Sequence, residues 1–199
     1  MRVIAGTLRS RHLQSPRGLQ MRPTSDRLKE TLFSVLAERV VGARFVDAFA
    51  GTGAVGIEAL SRGAREVIFL EKHARAVALI EKNLSSLGIH EHVRILAGDA
   101  LGGFRRLAAE RWGTDPAPPI VFLDPPYAAA GEYSRVLAFL ASNGALPPDA
   151  LVIAEHRSKF DLPEELGMLA RVRVLRQGDA SLSFYRCGFS NPPNQEGGE

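Results

Sequence analysis

Five short apolar runs, separated by stretches of helical periodicity, constrain the fold of this chain more than any other feature. Apolar residues recur at intervals of three and four between the runs, as they do on one face of a helix. A strand, helix, strand order predicts a parallel sheet covered by helices, and continuous apolar runs are typical of strands buried on both faces. The predicted strands span residues 45–49, 67–70, 93–96, 120–123 and 151–154, and the helices between them span 54–62, 74–87, 101–111 and 132–142.

The pattern changes beyond Pro163. Val172 and Val174 alternate with arginines, Leu182 and Phe184 alternate with polar residues, and the turn signal Gln-Gly-Asp lies between them. This pattern predicts an antiparallel hairpin at the edge of the sheet. Five strands joined by helices and followed by a hairpin resemble the seven-stranded sheet of class I methyltransferases. We therefore predict a Rossmann-like α/β fold.

Positive charge is concentrated at the N-terminus. Residues 1–30 carry seven basic and two acidic side chains, whereas the remaining residues are net negative. Residues 1–22 are predicted to form a basic β-hairpin appendage, 23–188 the main domain and 189–199 a disordered tail. The appendage suits contact with nucleic-acid phosphates. A solvated surface is the alternative that this charge pattern leaves open.

Composition excludes several classes of protein. A chain of 199 residues is long enough for one domain, and its longest apolar run, residues 136–141, is too short to cross a membrane. The single cysteine, Cys187, suits a reducing cytoplasm. Because no long apolar surface stripe is evident, we predict a monomer. His90 and His92 alone form a weak metal-binding motif, so we predict no metal site.

A glycine-rich loop follows the first predicted strand. Gly51, Gly53 and Gly56 match the pattern G-x-G-x-x-G, and Glu71 lies 20 residues beyond Gly51 at the end of the next strand. This spacing is typical of dinucleotide binding, with the acid on a ribose. A tight turn without a ligand is also compatible with an isolated match.

Two further acids favour S-adenosylmethionine over NAD as the ligand of this loop. Asp47 lies within the first strand, where its charge would repel a pyrophosphate and attract an ammonium group. Asp99 follows the third strand, where it can accept a hydrogen bond from an adenine amino group. Helix capping is the alternative role for such acids.

The sequence Asp124-Pro125-Pro126-Tyr127 ends the fourth predicted strand. Ligands of open α/β sheets bind beyond the carboxyl ends of the strands, and consecutive prolines hold the backbone rigid. The Asp124 carboxylate and the Pro125 carbonyl can accept from both N–H groups of an exocyclic amine. Tyr127 can stack on a base.

This motif is similar to the (Asp/Asn)-Pro-Pro-(Tyr/Phe) motif of amino-group nucleic-acid methyltransferases. Together with residues 22–33 and 47–64 it resembles the bacterial RsmD family of 16S ribosomal RNA guanine-N2 methyltransferases, with Thr52 and Val55 at positions where we expect Ser and Leu. The resemblance runs from Arg2 to about Tyr185. It implies a cytoplasmic enzyme that uses S-adenosylmethionine on the small ribosomal subunit.

The resemblance also implies a role for each site residue. Asp124, Pro125, Pro126 and Tyr127 would hold the target guanine. Gly51, Thr52 and Gly53 would hold the methionine part of the cofactor, and Arg22 and Thr24 would bind its carboxylate. Glu71 would hold the ribose and Asp99 the adenine. Asp47, assigned above from its charge, would attract the ammonium group. The residues expected to meet RNA phosphates are Arg2, Arg9, Arg11 and Arg17.

Three alternatives stay open from the sequence. An N6-adenine methyltransferase acting on DNA or RNA would need the same pocket for an amino group. An NAD-dependent oxidoreductase would use the same glycine loop. A non-catalytic RNA-binding module would use only the basic segment.

Overall fold

A computed structural model of the chain describes residues 1–15, 26–112, 117–125 and 130–188. Helices and strands alternate through most of it. The helices are α1 (Asp26–Leu36), α2 (Ala54–Ser61), α3 (Ala74–Ser86), α4 (Ala100–Ala109) and α5 (Ala130–Leu140), with a 3₁₀ turn at Ala37–Val40. The strands are β1 (Arg44–Ala48), β2 (Glu66–Glu71), β3 (Val93–Ala97), β4 (Ile120–Leu123), β5 (Leu151–Arg157), β6 (Glu165–Leu166), β7 (Leu169–Gln177) and β8 (Ala180–Cys187).

The strands form one sheet in the order β3-β2-β1-β4-β5-β8-β7-β6. β1 to β5 pair in parallel, and β8 joins β5 antiparallel. This arrangement confirms the predicted parallel sheet with an antiparallel C-terminal hairpin. The strand count was predicted one too low, because β6 is a two-residue strand that is too short to show an alternating pattern.

Helices cover both faces of the sheet and divide the interior into two clusters. α1, α2 and α3 pack on one face, with Leu32, Ile57 and Ile80 fully buried among them. α4 and α5 pack on the other face, where Phe104 and Val136 are fully buried. The strands between these layers are apolar on both faces, which explains their continuous apolar runs.

Helix α2 packs unusually close to the sheet. A Cβ atom on Gly56 would lie 2.3 Å from the Phe69 ring, so any other residue would push the helix away from β2. The third glycine of the G-x-G-x-x-G pattern therefore serves helix–strand packing. The opposite side of α2 is also covered, and its Glu58 is fully buried.

The N-terminal residues provide that cover. They form a small hairpin joined by the antiparallel bridge between Arg2 and His12, and Val3 and Leu13 are buried in the same apolar cluster as α1 to α3. Lys29 on α1 is fully buried and donates to the Arg2 carbonyl at 3.1 Å. The described part of the basic segment is thus packed onto the main core.

Several element ends differ from the sequence-based expectation, and two of them coincide with residues that have a positive φ. β1 ends at Ala48, since Phe49 turns into the left-handed region with φ 62°. The helical periodicity that begins at Thr24 predicts a first helix that ends at Gly42. The helix instead ends at Leu36 and continues as a 3₁₀ turn, where Ala37 also has a positive φ of 44°. No helix in the described ranges is long and apolar enough to span a membrane.

Candidate functional site

Four carboxylates lie at the carboxyl ends of neighbouring strands. Asp47 is in β1, Glu71 ends β2, Asp99 follows β3 and Asp124 follows β4. The four strands are parallel and adjacent, so these ends share one edge of the sheet. The structure therefore places three acids that the sequence assigned to the cofactor, Asp47, Glu71 and Asp99, at the same sheet edge as Asp124, which the sequence assigned to the target base.

The glycine-rich loop between β1 and α2 turns back over this edge. Gly51 and Gly53 have φ values of 56° and 75°, a region that residues with a Cβ rarely adopt. The Ala50 amide donates to the Leu70 carbonyl at 3.1 Å, and the Gly53 amide donates to the Ala50 carbonyl at 2.8 Å. The loop is thereby fixed to the end of β2.

The Glu71 carboxylate holds the loop from below. Its Oε2 accepts from the Gly51 amide at 2.8 Å, and its Oε1 accepts from the His73 amide at 2.8 Å. The side chain is only 6% exposed. Both oxygens keep further lone pairs, so the carboxylate can fix the glycine turn and still accept from ligand hydroxyl groups.

Asp47 lies beneath the loop and is 2% exposed. Its Oδ2 accepts from the Gly56 amide of α2 at 2.8 Å. Burial raises the pKa of this carboxyl well above its usual range, the Gly56 hydrogen bond opposes that shift, and the charges of Asp124 and Glu71 add to it. A cation placed here would relieve the repulsion among these carboxylates.

We expect Asp47→Asn to flatten the dependence of folding stability on pH. The folded chain holds this proton above the pH at which the unfolded chain releases it. The free energy of unfolding of the wild type therefore falls as pH rises from the unfolded pKa towards the raised folded pKa. Asparagine does not titrate, so it removes this loss of stability, and its side-chain oxygen can still accept from Gly56. The variant should therefore be more stable than the wild type near neutral pH.

Thermal unfolding of both proteins between about pH 4 and 8 measures this difference. Each kcal/mol of relieved cost should raise the Tm of a chain of this size by about 2–4 °C. Glu66→Gln, on the same sheet but paired with Arg44 at the opposite strand end, serves as the control. A Tm near neutral pH below that of the wild type would contradict the expected gain.

The end of β4 places Asp124 and Pro125 beside the loop. Both residues are partly exposed, and the Asp124 amide lies 3.4 Å from the Ala48 carbonyl of β1. Asp99 is exposed and its Oδ1 accepts from the Gly102 amide at 2.9 Å, so it also caps α4. Arg17, Arg22, Thr24, Pro126 and Tyr127 lie outside the described residues.

Two residues near the site carry no sequence signal. Asn83 on α3 is fully buried, and its Nδ2 donates to the Thr52 carbonyl at 3.0 Å while its Oδ1 accepts from the Gln14 amide at 2.8 Å. It thus links the N-terminal hairpin to the glycine loop. Tyr133 on α5 is buried, its hydroxyl has no hydrogen-bond partner within the described structure, and burial together with the Tyr185 and Asp124 charges raises its pKa.

The hydrogen-bond acceptors at this edge fit S-adenosylmethionine better than a dinucleotide. Four carboxylates would repel a pyrophosphate, whereas an ammonium group, a ribose diol and an adenine amine all present donors to them. The nearby cation Lys72 is held by Glu132 at 2.6 Å. The geometry therefore suits a cationic ligand without phosphate.

Comparisons with known proteins agree with this geometry. The family model described as Conserved hypothetical protein 95 matches residues 1–186. The chain belongs to this family, the RsmD family. YlbH of Bacillus subtilis is 33% identical over 186 residues, which are 94% of this chain and 98% of YlbH. Ribosomal RNA small subunit methyltransferase D of Escherichia coli K12 is 34% identical over 163 residues, 82% of this chain and 78% of that protein.

Two solved structures share the architecture. The structure of yhhF from Escherichia coli has 30% identity and a TM-score of 0.76, with coverage of 94% of this chain and 98% of yhhF. An RNA methyltransferase from Salinibacter ruber, solved in complex with S-adenosyl-L-homocysteine, has 16% identity and a TM-score of 0.59, with coverage of 88% and 99%. That second likeness concerns the fold alone.

Proposed function

We propose that this RsmD-family protein transfers a methyl group from S-adenosylmethionine to the exocyclic N2 amine of a guanine in 16S ribosomal RNA. Ribosomal RNA methylation is the general activity, and the guanine and its N2 atom are the specific proposal. One observation carries it. The amine-accepting pair Asp124 and Pro125 lies at the same sheet edge as the acid-lined glycine loop.

The substrate class rests on two kinds of support. The curated relatives in Escherichia coli and Haemophilus influenzae are named ribosomal RNA small subunit methyltransferases. This chain exposes Arg2, Arg9 and Arg11 on its N-terminal hairpin, where they can meet RNA phosphates together with Arg17. Arg2 lies 3.9 Å from Asp26, and Arg11 donates to the Ser86 carbonyl at 3.3 Å, so both are also oriented by the core.

S-adenosylmethionine supplies an electrophilic methyl group on its sulfonium. Gly51, Thr52 and Gly53 would hold its methionine part, and Asp47 would attract the ammonium group. Glu71 would accept from the ribose hydroxyls and Asp99 from the adenine amine, while Arg22 and Thr24 would bind the methionine carboxylate. The chain would therefore hold the cofactor by hydrogen bonds and opposite charge, with the glycine-rich loop allowing close backbone approach.

The target base must leave its stack to reach this edge. Asp124 and the Pro125 carbonyl would accept hydrogen bonds from the two N–H groups of the amine. Tyr127, which follows Pro126 in the sequence, would stack on the base. The nitrogen lone pair is delocalised into the ring, so these acceptors turn the amine towards the methyl group and stabilise the positive charge that develops on nitrogen. Asp124 is also placed to take the proton that leaves the amine.

We expect Glu71→Gln to raise the KM for S-adenosylmethionine by about 10- to 100-fold, because hydrogen bonds to a charged group contribute about 1.5–3 kcal/mol. The side-chain amide of this variant would also place an N–H group against the backbone amide of Gly51 or His73. In the wild type both backbone amides donate to the carboxylate. Initial rates at varied cofactor concentration measure the effect.

Glu66→Gln is the matched control for this variant. It makes the same chemical change on the same strand, but at the opposite end from the loop. It should leave the KM for the cofactor within about twofold. Equal values for the two variants would contradict the role of Glu71 at the cofactor.

Identification of the methylated nucleoside tests the proposed function. Labelled S-adenosylmethionine is supplied with small ribosomal subunits from cells that lack this gene, and the digested RNA is analysed by mass spectrometry. We expect label in N2-methylguanosine. Label in N6-methyladenosine would overturn the base specificity, and an absence of label, together with NADH binding, would overturn the methyl-transfer proposal itself.

A further inference from the structure

Phe160 is an aromatic side chain left in solvent at the end of β5. It is 53% exposed. The other large apolar side chains that are exposed in the described structure are Val41 and Val172, both aliphatic. A single exposed apolar residue needs no special explanation, but the backbone contacts of Phe160 and its position on the sheet distinguish it from the two valines.

The turn that carries Phe160 is fixed to the C-terminal hairpin. The Phe160 amide donates to the Arg157 carbonyl at 2.8 Å, which closes the turn. The Ser158 amide donates to the Asp179 carbonyl at 2.8 Å, and its hydroxyl donates to the Gly178 carbonyl at 3.0 Å. The turn that leads into Phe160 is therefore fixed to the hairpin, so binding at the aromatic ring requires little further ordering of this backbone.

This turn lies on the same edge of the sheet as the methyl-transfer site. β5 is the parallel neighbour of β4, with Ala154 opposite Leu123. Asp124 is one residue beyond that row and Arg157 is three residues beyond it. At about 3.3 Å per strand residue, Arg157, where the Phe160 turn begins, lies about 7 Å farther along the strand direction than Asp124. That offset is about twice the rise of 3.4 Å per stacked nucleotide.

Charge around Phe160 also favours a polyanion. Arg157 and Lys159 precede it in the turn and are exposed. Arg176 is exposed on β7, in the row that pairs Ser181 with His156. Acids also lie nearby. Asp161 and Glu164 are both engaged by Arg171, at 3.2 Å and 3.0 Å. Asp179 lies in the hairpin turn, and Glu165 begins β6.

We propose that Phe160 is a stacking platform for an unpaired base of the ribosomal RNA, one or two nucleotides from the target guanine, with Arg157 and Lys159 at the adjoining phosphates. This inference rests on the proposed function, because it takes RNA as the substrate. Exposed aromatic rings among basic residues bind successive bases of single strands with little dependence on sequence. The base would stack on the outer face of a preformed turn.

Steady-state kinetics with unmethylated small ribosomal subunits test the platform. We expect Phe160→Ala to raise the KM for subunits by about 5- to 150-fold, the loss expected for one base–aromatic stack, and to change the KM for S-adenosylmethionine by less than about twofold. Phe160→Tyr should retain most of the affinity. Val172→Ala, which changes an exposed apolar residue of β7 away from the Phe160 turn, is the matched control.

A fluorescence measurement tests stacking without turnover. The chain has one tryptophan, Trp112, which is buried, so Phe160→Trp adds an exposed reporter. Single-stranded oligoadenylate of about 12 nucleotides should quench this new emission, and an RNA duplex of equal length should quench it much less. Wild-type emission should stay unchanged in both titrations.

The outcomes separate this inference from the proposed function. A KM for subunits in Phe160→Ala equal to that of Val172→Ala, or no quenching by the single strand, would overturn the platform even if N2-methylguanosine is still formed. Equal quenching by single strand and duplex would also overturn it, because a duplex offers no unpaired base. A different methylated nucleoside would overturn the base specificity, and quenching in the same protein would still support the platform.

Discussion

Replacing Asp124 with alanine should lower kcat by about 10²–10⁴-fold, the range typical of a lost proton-transfer or charge-stabilising group. The dissociation constant for S-adenosylmethionine should change by only a few-fold, since none of the proposed cofactor contacts is on β4 or the segment that follows it. In the proposed mechanism, Asp124 orients the amine and meets the charge that develops on it. Single-turnover rates with small ribosomal subunits and calorimetric cofactor titration measure the two quantities separately.

Asp124→Asn distinguishes the two roles of this carboxylate. Asparagine keeps one oxygen that can accept from the amine but cannot take its proton at neutral pH. If orientation dominates, the Asn variant should retain a rate within about tenfold of the wild type, and if proton transfer dominates it should match the Ala variant. The rate of the Asn variant therefore assigns the mechanism.

The control for Asp124 is an acid that is exposed and distant from the site. Glu91→Ala, in the segment that leads into β3, should leave kcat and cofactor binding unchanged. An Asp124→Ala rate within about threefold of Glu91→Ala would remove Asp124 from the proposed mechanism. A stable, cofactor-binding Asp124→Ala that still methylates would instead favour a pocket in which positioning comes from backbone carbonyls.

Most of the parallel sheet could be predicted from the sequence because its strands are short and apolar on both faces. The predicted runs at 67–70 and 120–123 lie within β2 and β4, and the helix predicted at 74–87 is α3 with one residue added. The first strand was placed one residue too far, since Phe49 is apolar like its neighbours but has a left-handed backbone. Apolar character does not report φ.

The contacts that organise the site could not be predicted, because they join residues far apart in the chain. Asn83 meets Gln14 across 69 residues and Thr52 across 31. Glu58 meets Ile4 across 54. In the sequence, Asn83 and Glu58 look like ordinary polar helix residues. The sequence predicted that the charge of Asp47 would attract a cationic group. Nothing in its spacing indicated that its carboxylate would accept a hydrogen bond from the Gly56 amide.

Glu58→Ala should lower the free energy of unfolding by about 3–5 kcal/mol, which is the usual cost of removing one partner from a buried charged pair. Glu58 is fully buried beneath the N-terminal hairpin. Its two oxygens accept from the Ile4 amide at 2.7 Å, the Ala5 amide at 3.0 Å and the Arg62 Nε at 2.7 Å. Alanine would leave all three donors without this acceptor.

Denaturant unfolding measures the loss, and hydrogen exchange locates it. We expect the Ile4 and Ala5 amides to lose protection before the strands do, because the hairpin is attached to α2 by these bonds. Glu58→Gln keeps one acceptor oxygen and should lose less. Glu81→Ala, an exposed glutamate on α3, should stay within about 0.5 kcal/mol of the wild type.

Glu58→Ala also tests how far the N-terminal hairpin and the glycine-rich loop depend on each other. Arg62 would remain beside the Phe33 ring, 4.8 Å from its centroid, so α2 keeps one of its outer contacts when the hairpin detaches. Asn83 would lose Gln14 but keep the Thr52 carbonyl. We therefore expect Glu58→Ala to raise the KM for ribosomal subunits more than the KM for S-adenosylmethionine. Equal increases in both constants would mean that the hairpin supports the glycine loop directly, and a loss of stability below about 1 kcal/mol would mean that the buried carboxylate does not hold the hairpin.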